Sequence, residues 1–304
     1  MKKQGHKLRL TKEDHVVNMI AGVIATVVLI VTVYPIYYSA IYSISDGQAA
    51  QATQIYFLPV SPTLENYKIV FSDSMLFNSY IMNILRTVTA TITSVFLTVM
   101  TAYGITRKEL RGRRVYSLLA VFTMYFSGGL IPTYLLLQSL NLLNTFWVYI
   151  LPGMLSVYNM MLCMAFIRDI PETLIESARL DGAQEFTILL RIIFPLSKPI
   201  IATIALFVGV GAWNDWYASA YYIYDQALMT LPTVLMRLVS ATDAQQKMNA
   251  LIQSSGVNVM NNQGPTPDAI RHATMLVSII PIMCVYPFLQ KYFVKGVMVG
   301  AIKA

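Results

Sequence analysis

The chain has 304 residues, 56% of them hydrophobic and only 12% charged, which is more apolar surface than one soluble core buries. A formal net charge of +7 raises nucleic acid as a partner, and the placement of the charges excludes it, because lysines and arginines gather in alternate connectors between long apolar stretches. The two cysteines, Cys163 and Cys284, lie inside such stretches and read as small apolar residues, so neither a disulfide framework nor a metal site is implied.

A membrane-crossing helix needs about 20 mostly apolar residues, since a rise of about 1.5 Å per residue has to cover a roughly 30 Å hydrocarbon core. Six stretches qualify: Val17 to Ser43, Ser79 to Thr106, Val115 to Leu140, Thr145 to Ile167, Pro199 to Tyr222 and Ala273 to Leu289. From Val115 to Ile167 there is no Asp, Glu, Lys, Arg or His, and Asn141 to Asn144 supply a turn between two spans. Helices are the expected form, because a helical backbone satisfies its own hydrogen bonds in lipid. The first stretch follows a basic segment, as a signal peptide does. Its apolar run is too long for one, and Tyr37, Tyr38 and Tyr42 stand where small cleavage-site residues belong, so it reads as an anchored helix. The predicted fold class is an all-α integral membrane protein with six transmembrane helices.

The charges orient it. With the N-terminus inside, five lysines and arginines precede the first span (Lys2, Lys3, Lys7, Arg9, Lys12) and five lie between the second and third (Arg107, Lys108, Arg111, Arg113, Arg114). Four more lie between the fourth and fifth (Arg168, Arg179, Arg191, Lys198) and three in the tail (Lys291, Lys295, Lys303), against four outside (Lys68, Arg237, Lys247, Arg271). The positive-inside rule therefore predicts that both termini are cytoplasmic. The resulting organisation is a cytoplasmic tail at 1–16, a six-helix domain at 17–290 and a second cytoplasmic tail at 291–304, with outer loops at 44–78 and 225–272. In the first outer loop Pro59, Ser61 and Pro62 punctuate, and an amphipathic piece follows at Leu64 to Phe71. In the second, Leu231 to Ile252 has partly helical spacing ahead of a Gly/Asn/Pro stretch from Gly256 to Pro267. Connectors this long are functional or disordered more often than incidental.

The cytoplasmic excursion at 170–195 carries most of the information. Asp169 followed three residues later by Glu172, with Pro171 between, predicts a helix start with Asp169 as N-cap. Gly182 stands where a left-handed residue ends that helix, and Gln184 to Ile193 forms a second one running to Pro195. Leu174, Ile175, Ala178 and Leu180 give the first helix an apolar side, and Glu172, Glu176, Arg179 and Asp181 a polar one. Such a pair lies on lipid headgroups or docks into a soluble partner. Its acidic polar face favours the partner, since surface-lying helices prefer lysine and arginine there.

Glu176, Ser177, Ala178, three residues, Gly182, nine residues, Ile192, one residue, Phe194 and Pro195 resemble the cytoplasmic EAA motif of binding-protein-dependent ABC importer permeases. Ser177 replaces an alanine of that motif and Phe194 a leucine. The ending from Tyr286 through Lys291, Lys295 and Gly296 to Gly300 and Lys303 resembles carbohydrate-uptake permeases of the MalG type, nearest the LplC-like subgroup associated with complex oligosaccharides and polysaccharides. The likeness runs over nearly the whole chain and implies the MetI-like permease fold in the bacterial cytoplasmic membrane, crossed several times. It also implies a non-catalytic subunit that pairs with a second, homologous permease, two ATPase subunits and an extracellular solute-binding protein delivering a sugar. Its first EAA helix would dock into the ATPase through Glu176, Ser177, Ala178, Asp181 and Gly182. No GxxxxGK[ST] motif occurs, so ATP and Mg are expected on the partner ATPase and no cofactor on this chain.

Along the fifth span, Trp213, Asn214, Asp215, Trp216 and Tyr217 combine flat apolar rings with amide and carboxylate groups, as a sugar path would. The alternative is an aromatic belt at the outer interface, to which Tyr221 and Tyr222 are assigned. A charged aspartate within a span costs about 2.5–3.5 kcal/mol on insertion scales, so Asp215 is expected to face a cavity or a partner. Arg86, inside the second span, reads as a snorkelling or interhelical residue more than as a sugar ligand. Two other functions compete. A self-sufficient secondary transporter would show internal symmetry and broken helices in matching halves, and a membrane enzyme would bring a nucleophile near a histidine, whereas His6, His15 and His272 are scattered.

Overall fold

A computed structural model describes residues 12–53, 55–254 and 266–301. Among these the chain is all helical, and its strand-like pairing is confined to an isolated bridge between Ser45 and Pro62. Chain contacts divide it into two compact units, Met1–Ile69 with Met260–Leu276, and Val70–Val259 with Val277–Ala304.

In the first unit, α1 (Lys12–Ser43) is a long apolar helix with its side chains outward for most of its length, as a lipid-facing span requires. It ends in a turn tied down by Asn66, whose Nδ2 donates to the carbonyls of Ser43 (2.8 Å) and Ser45 (2.9 Å). Asp46 then starts α2 (Gly47–Thr53) by accepting the N–H groups of Gln48 and Ala49 on Oδ1. The amphipathic piece expected near Leu64 to Phe71 is α3 (Glu65–Ser72).

The second unit is built on α4 (Ser74–Thr106), capped by Asp73 through the N–H groups of Met75 and Leu76. The third expected span is not one helix. It consists of α5 (Arg113–Tyr125) and α6 (Leu130–Ser139), bent by 118° at a break that ends on Gly129 with φ +81°. The fourth is likewise discontinuous. A single 3-10 turn at Phe146–Tyr149 is followed by irregular chain through Pro152 and Gly153 and then α7 (Val157–Arg168). At 12 residues, α7 covers about 18 Å, short of the bilayer core.

The cytoplasmic excursion folds as α8 (Glu172–Leu180) and α9 (Glu185–Leu196). Within α9 the turn at Leu189–Ile193 is wide, and the Phe194 N–H reaches back five residues to Leu189. Pro195 lacks an N–H and its ring crowds the carbonyl four residues back, so a locally opened ladder lets the helix pass through it. An 82° bend leads into α10 (Lys198–Asn214), which packs along α4, and after a break at Asp215 and Trp216 comes α11 (Tyr217–Tyr222). α12 (Leu231–Ser254) covers the helical spacing seen in the second outer loop, and α13 (Pro267–Ala301) closes the chain. Of the Gly256 to Pro267 stretch, residues through 265 lie outside the described residues, as do Lys2, Lys3, Lys7, Arg9 and Lys303. Among the described residues three helices are long and apolar enough to cross a membrane, and five if each bent pair counts as one.

Candidate functional site

The first candidate surface is the α8–α9 hairpin, and its base is buried. Ile175 of α8 and Ile188, Leu189 and Ile193 of α9 join Val99, Ala102 and Tyr103 of α4 and Met160, Cys163, Met164 and Ile167 of α7 in one core, with Ala178 packed against it. With 3.6 residues per turn, burying Ile175 and Ala178 leaves Thr173, Glu176, Ser177 and Leu180 on the opposite side, and all four are exposed, Leu180 at 90%. An apolar side chain so fully in water, on a hairpin whose base is rigidly packed, suits a surface that another protein covers.

Both ends of α8 are defined by backbone chemistry. At its start the structure corrects the sequence expectation: the N-cap is Pro171, with no side-chain bond, and Asp169 instead caps the end of α7, its N–H going to Phe166 and Ile167. At its end Gly182 does take the left-handed conformation, φ +81°. The Ala183 N–H bonds the Ala178 carbonyl (2.9 Å) and the Gly182 N–H bonds the Arg179 carbonyl (3.0 Å), the Schellman pattern that closes the last turn.

Of the four polar residues expected on α8, two are engaged within the chain. Arg179 donates to Glu185 through Nε (2.9 Å) and Nη2 (2.6 Å) and to Glu109 through Nη1 (2.8 Å), while the Tyr103 hydroxyl donates to Glu185 (2.6 Å). Lys108 pairs with Glu172 at 2.8 Å. The short segment after α4 is thus pinned to the hairpin by two separate ion contacts. The bond from Arg179 holds the Glu109 carboxyl below its ordinary range, and the bond from Lys108 does the same for Glu172 and raises Lys108 in return. Glu176 and Asp181 remain exposed, and neither enters an ion pair among the described residues.

The second candidate is the break between α10 and α11, where the five residues Trp213 to Tyr217 divide by environment. Asp215 fixes the break: Oδ1 accepts the N–H groups of Tyr217 (2.8 Å) and Ala218 (3.3 Å), starting α11, and Oδ2 pairs with the guanidinium of Arg86. Arg86, buried in α4, also donates to the Asp215 carbonyl (2.7 Å) and lies over the Tyr149 ring at 4.6 Å. Trp213 is buried too, its indole N–H on the Ser278 carbonyl (3.1 Å) and its own carbonyl accepting from Asn83 (3.2 Å). Asn214, Trp216 and Tyr217 are exposed, and the rings of Trp216 and Tyr217 cluster with Tyr221, the closest pair being Tyr217 and Tyr221 at 4.6 Å.

Sequence reasoning missed a stripe on α4. Thr87, Thr91, Ser94 and Thr98 follow helical spacing along one face, and their hydroxyls are buried without hydrogen-bond partners among the described residues, as is Oδ1 of Asn83 one turn earlier. The signal was available as hydroxyl residues recurring every three or four positions in an otherwise apolar span.

Residues 69–299 match the family described as binding-protein-dependent transport system inner membrane component. Protein LplC of Bacillus subtilis (strain 168) is 35% identical over 298 residues, 98% of each chain. The polygalacturonan/rhamnogalacturonan transport system permease protein YtcP of the same organism is 34% identical, over 90% of this chain and 93% of its own length. Among solved structures, a chain of a bacterial ABC transporter involved in importing the acidic polysaccharide alginate superposes with a TM-score of 0.85 at 27% identity, covering 94% of this chain and all of the other. The match spans more than half of the sequence and includes the hairpin and the α10–α11 break, so this chain belongs to the binding-protein-dependent transport system inner membrane components, a family of multi-pass membrane permeases.

Proposed function

We propose that this chain is one permease subunit of an ATP-driven importer of oligosaccharides or polysaccharides in the bacterial plasma membrane. It crosses six times with both termini cytoplasmic, the irregular chain before α7 completing the fourth span. It pairs with a homologous permease and two ATPase subunits, which bind ATP and Mg, and receives sugar from an extracellular solute-binding protein. The family description supports the binding protein, and the names of YtcP and of the alginate importer support a sugar cargo.

The observation that carries this reading is the hairpin. Its exposed row of Thr173, Glu176, Ser177 and Leu180 projects from a base packed into α4, α7 and α9, so a push on α8 reaches α4 without being absorbed by a loop. Glu176, Ser177, Ala178, Asp181 and Gly182 form the ATPase-coupling element, with Glu176 as its charged contact. At the α10–α11 break, Asn214, Trp216 and Tyr217 face the sugar path, while Asp215 and Trp213 hold the break open. Glu176→Lys tests the reading. The substitution is exposed and leaves the spans intact, so the protein stays in the membrane, while a reversed charge at the contact lowers sugar uptake about tenfold or more, the equivalent of ~1.4 kcal/mol. Uptake at the normal rate, with the ATPase still co-purifying, refutes it.

A further inference from the structure

In the first unit, Tyr34, Tyr38, Tyr42, Gln51, Tyr56 and His272 line a cavity of about 800 Å³. Tyr34, Tyr38 and Tyr42 recur at four-residue spacing, so they line one face of α1 toward its C-terminal end, their rings tilted to one another with centroid separations of 6.4 and 5.9 Å. His272, near the start of α13, lies against two of these rings, 4.7 Å from Tyr42 and 5.8 Å from Tyr38. It is only 9% exposed, and its Nδ1 is buried without a hydrogen-bond partner among the described residues. A buried polar nitrogen left unpaired is costly, so its persistence calls for a partner that enters the cavity.

The chemistry of the lining narrows that partner. The tyrosines offer flat apolar faces, with the Tyr34 hydroxyl donating to the Tyr56 carbonyl (3.4 Å), and Gln51, whose amide nitrogen donates to Asp268 (3.2 Å), brings an amide oxygen that accepts. Among the described residues the lining contains no Asp, Glu, Lys or Arg. An aromatic belt at a membrane interface turns its rings to lipid, whereas Tyr42 here is 7% exposed; Tyr34 and Tyr56, which also line the pocket, are exposed.

We propose that this pocket binds a neutral pyranose unit of the incoming oligosaccharide, the ring faces stacking on Tyr38 and neighbouring tyrosines and a hydroxyl pairing with His272 Nδ1. In the orientation given above, it opens on the outer side, where the binding protein releases its cargo. The inference rests on the sugar-importer reading and adds a receiving site before the membrane is crossed.

The test uses the assembled transporter in phosphatidylglycerol nanodiscs and saturation-transfer NMR with two probes, a β-1,4-galactan pentamer and an α-1,4-galacturonan pentamer. Wild type is expected to transfer saturation to the neutral pentamer. Tyr38→Ala and His272→Gln weaken that binding about tenfold, whereas Tyr38→Trp, which keeps a stacking face, stays within about twofold. Thermal unfolding of each complex runs alongside, and if Tyr38→Ala does not assemble, His272→Gln against Tyr38→Trp decides. Equal binding in all variants, transfer to the galacturonan alone, or no transfer to either probe overturns the pocket. Failure of the importer reading shows separately, as oligosaccharide uptake that persists in cells lacking the gene.

Discussion

Asp215→Asn separates a packing residue from a sugar contact, and its effect can be worked out from the contacts. The Arg86 side chain is 4% exposed and that of Asp215 32%, so the pair is buried on the arginine's side and partly open on the aspartate's. Removing one partner of a fully buried pair costs about 3–5 kcal/mol, because the remaining charge is left without compensation. Two features reduce this here. The aspartate's side is only partly buried, and Arg86 keeps its bond to the Asp215 carbonyl and its place over Tyr149, a cation–π contact of about 0.5–2 kcal/mol. The expected loss is therefore about 2–3 kcal/mol. At roughly 2–4 °C per kcal/mol for a chain of this size, the detergent melting midpoint of the complex should fall by about 5–10 °C. A double-mutant cycle adds a sharper criterion: Arg86→Ala removes the stranded charge, so the double variant should be less destabilised than the two single losses added together. The assay is melting measured beside ATPase stimulation by the sugar-loaded binding protein. An unchanged midpoint with altered stimulation would refute the reasoning and return Asp215 to the sugar path.

Three further expectations follow from the hairpin and the outer loop. Arg179→Ala releases both Glu109 and Glu185, so hydrogen exchange of the α8 amides should quicken while the spans stay protected, and Arg179→Lys, which cannot fork between two carboxylates, should restore only part of the protection. The same contacts fix a pH dependence: Glu109 and Glu172 are lowered in the folded protein, so their stabilisation is present above the ordinary value of 4.5 and lost as pH falls through the depressed values. The raised Lys108 loses its share only above 10.5, and the α8 protection factors, with the intrinsic pH dependence of exchange divided out, should therefore be flat between these limits and fall on acidification. Deleting Asn258 to Gly264 should reduce binding-protein-dependent uptake if the outer segment meets the binding protein. Normal uptake would make it a passive connector.

What the sequence made legible was what local chemistry decides. Apolar length located α1, α4 and α13, and the spacing from Glu176 to Gly182 located the hairpin and its left-handed glycine. Asp169 was misread because a carboxylate three residues ahead of Glu172 satisfies the helix-start pattern equally well when it finishes the preceding helix. The end of α7 claims its N–H, and Pro171, which has none to offer, takes the boundary. The α10–α11 break was invisible for another reason. The residue that organises it, Arg86, lies 129 positions away, and no local pattern distinguishes a carboxylate pairing with a distant helix from one lining a path. The sorting of Trp213 to Tyr217 into buried and exposed residues depends on that same long-range contact.

Gly182 tests whether α8 acts by its angle or only by its surface. Its φ of +81° is costly for any residue with a Cβ, by roughly 1–2 kcal/mol, yet a Cβ built there meets nothing within 4 Å, so a substitution disturbs the backbone and no neighbour. Asparagine tolerates the left-handed region far better than alanine does. If the turn sets the angle at which Glu176 and Leu180 meet the ATPase, Gly182→Asn should keep most of the coupling, measured as sugar taken up per ATP hydrolysed, and Gly182→Ala should lose several-fold with the complex still assembled. A bulky residue acting merely by obstructing the docking surface would give the reverse order, since asparagine is the larger side chain. Equal coupling in both variants would mean that the exposed row on α8 transmits the stroke whatever turn follows it.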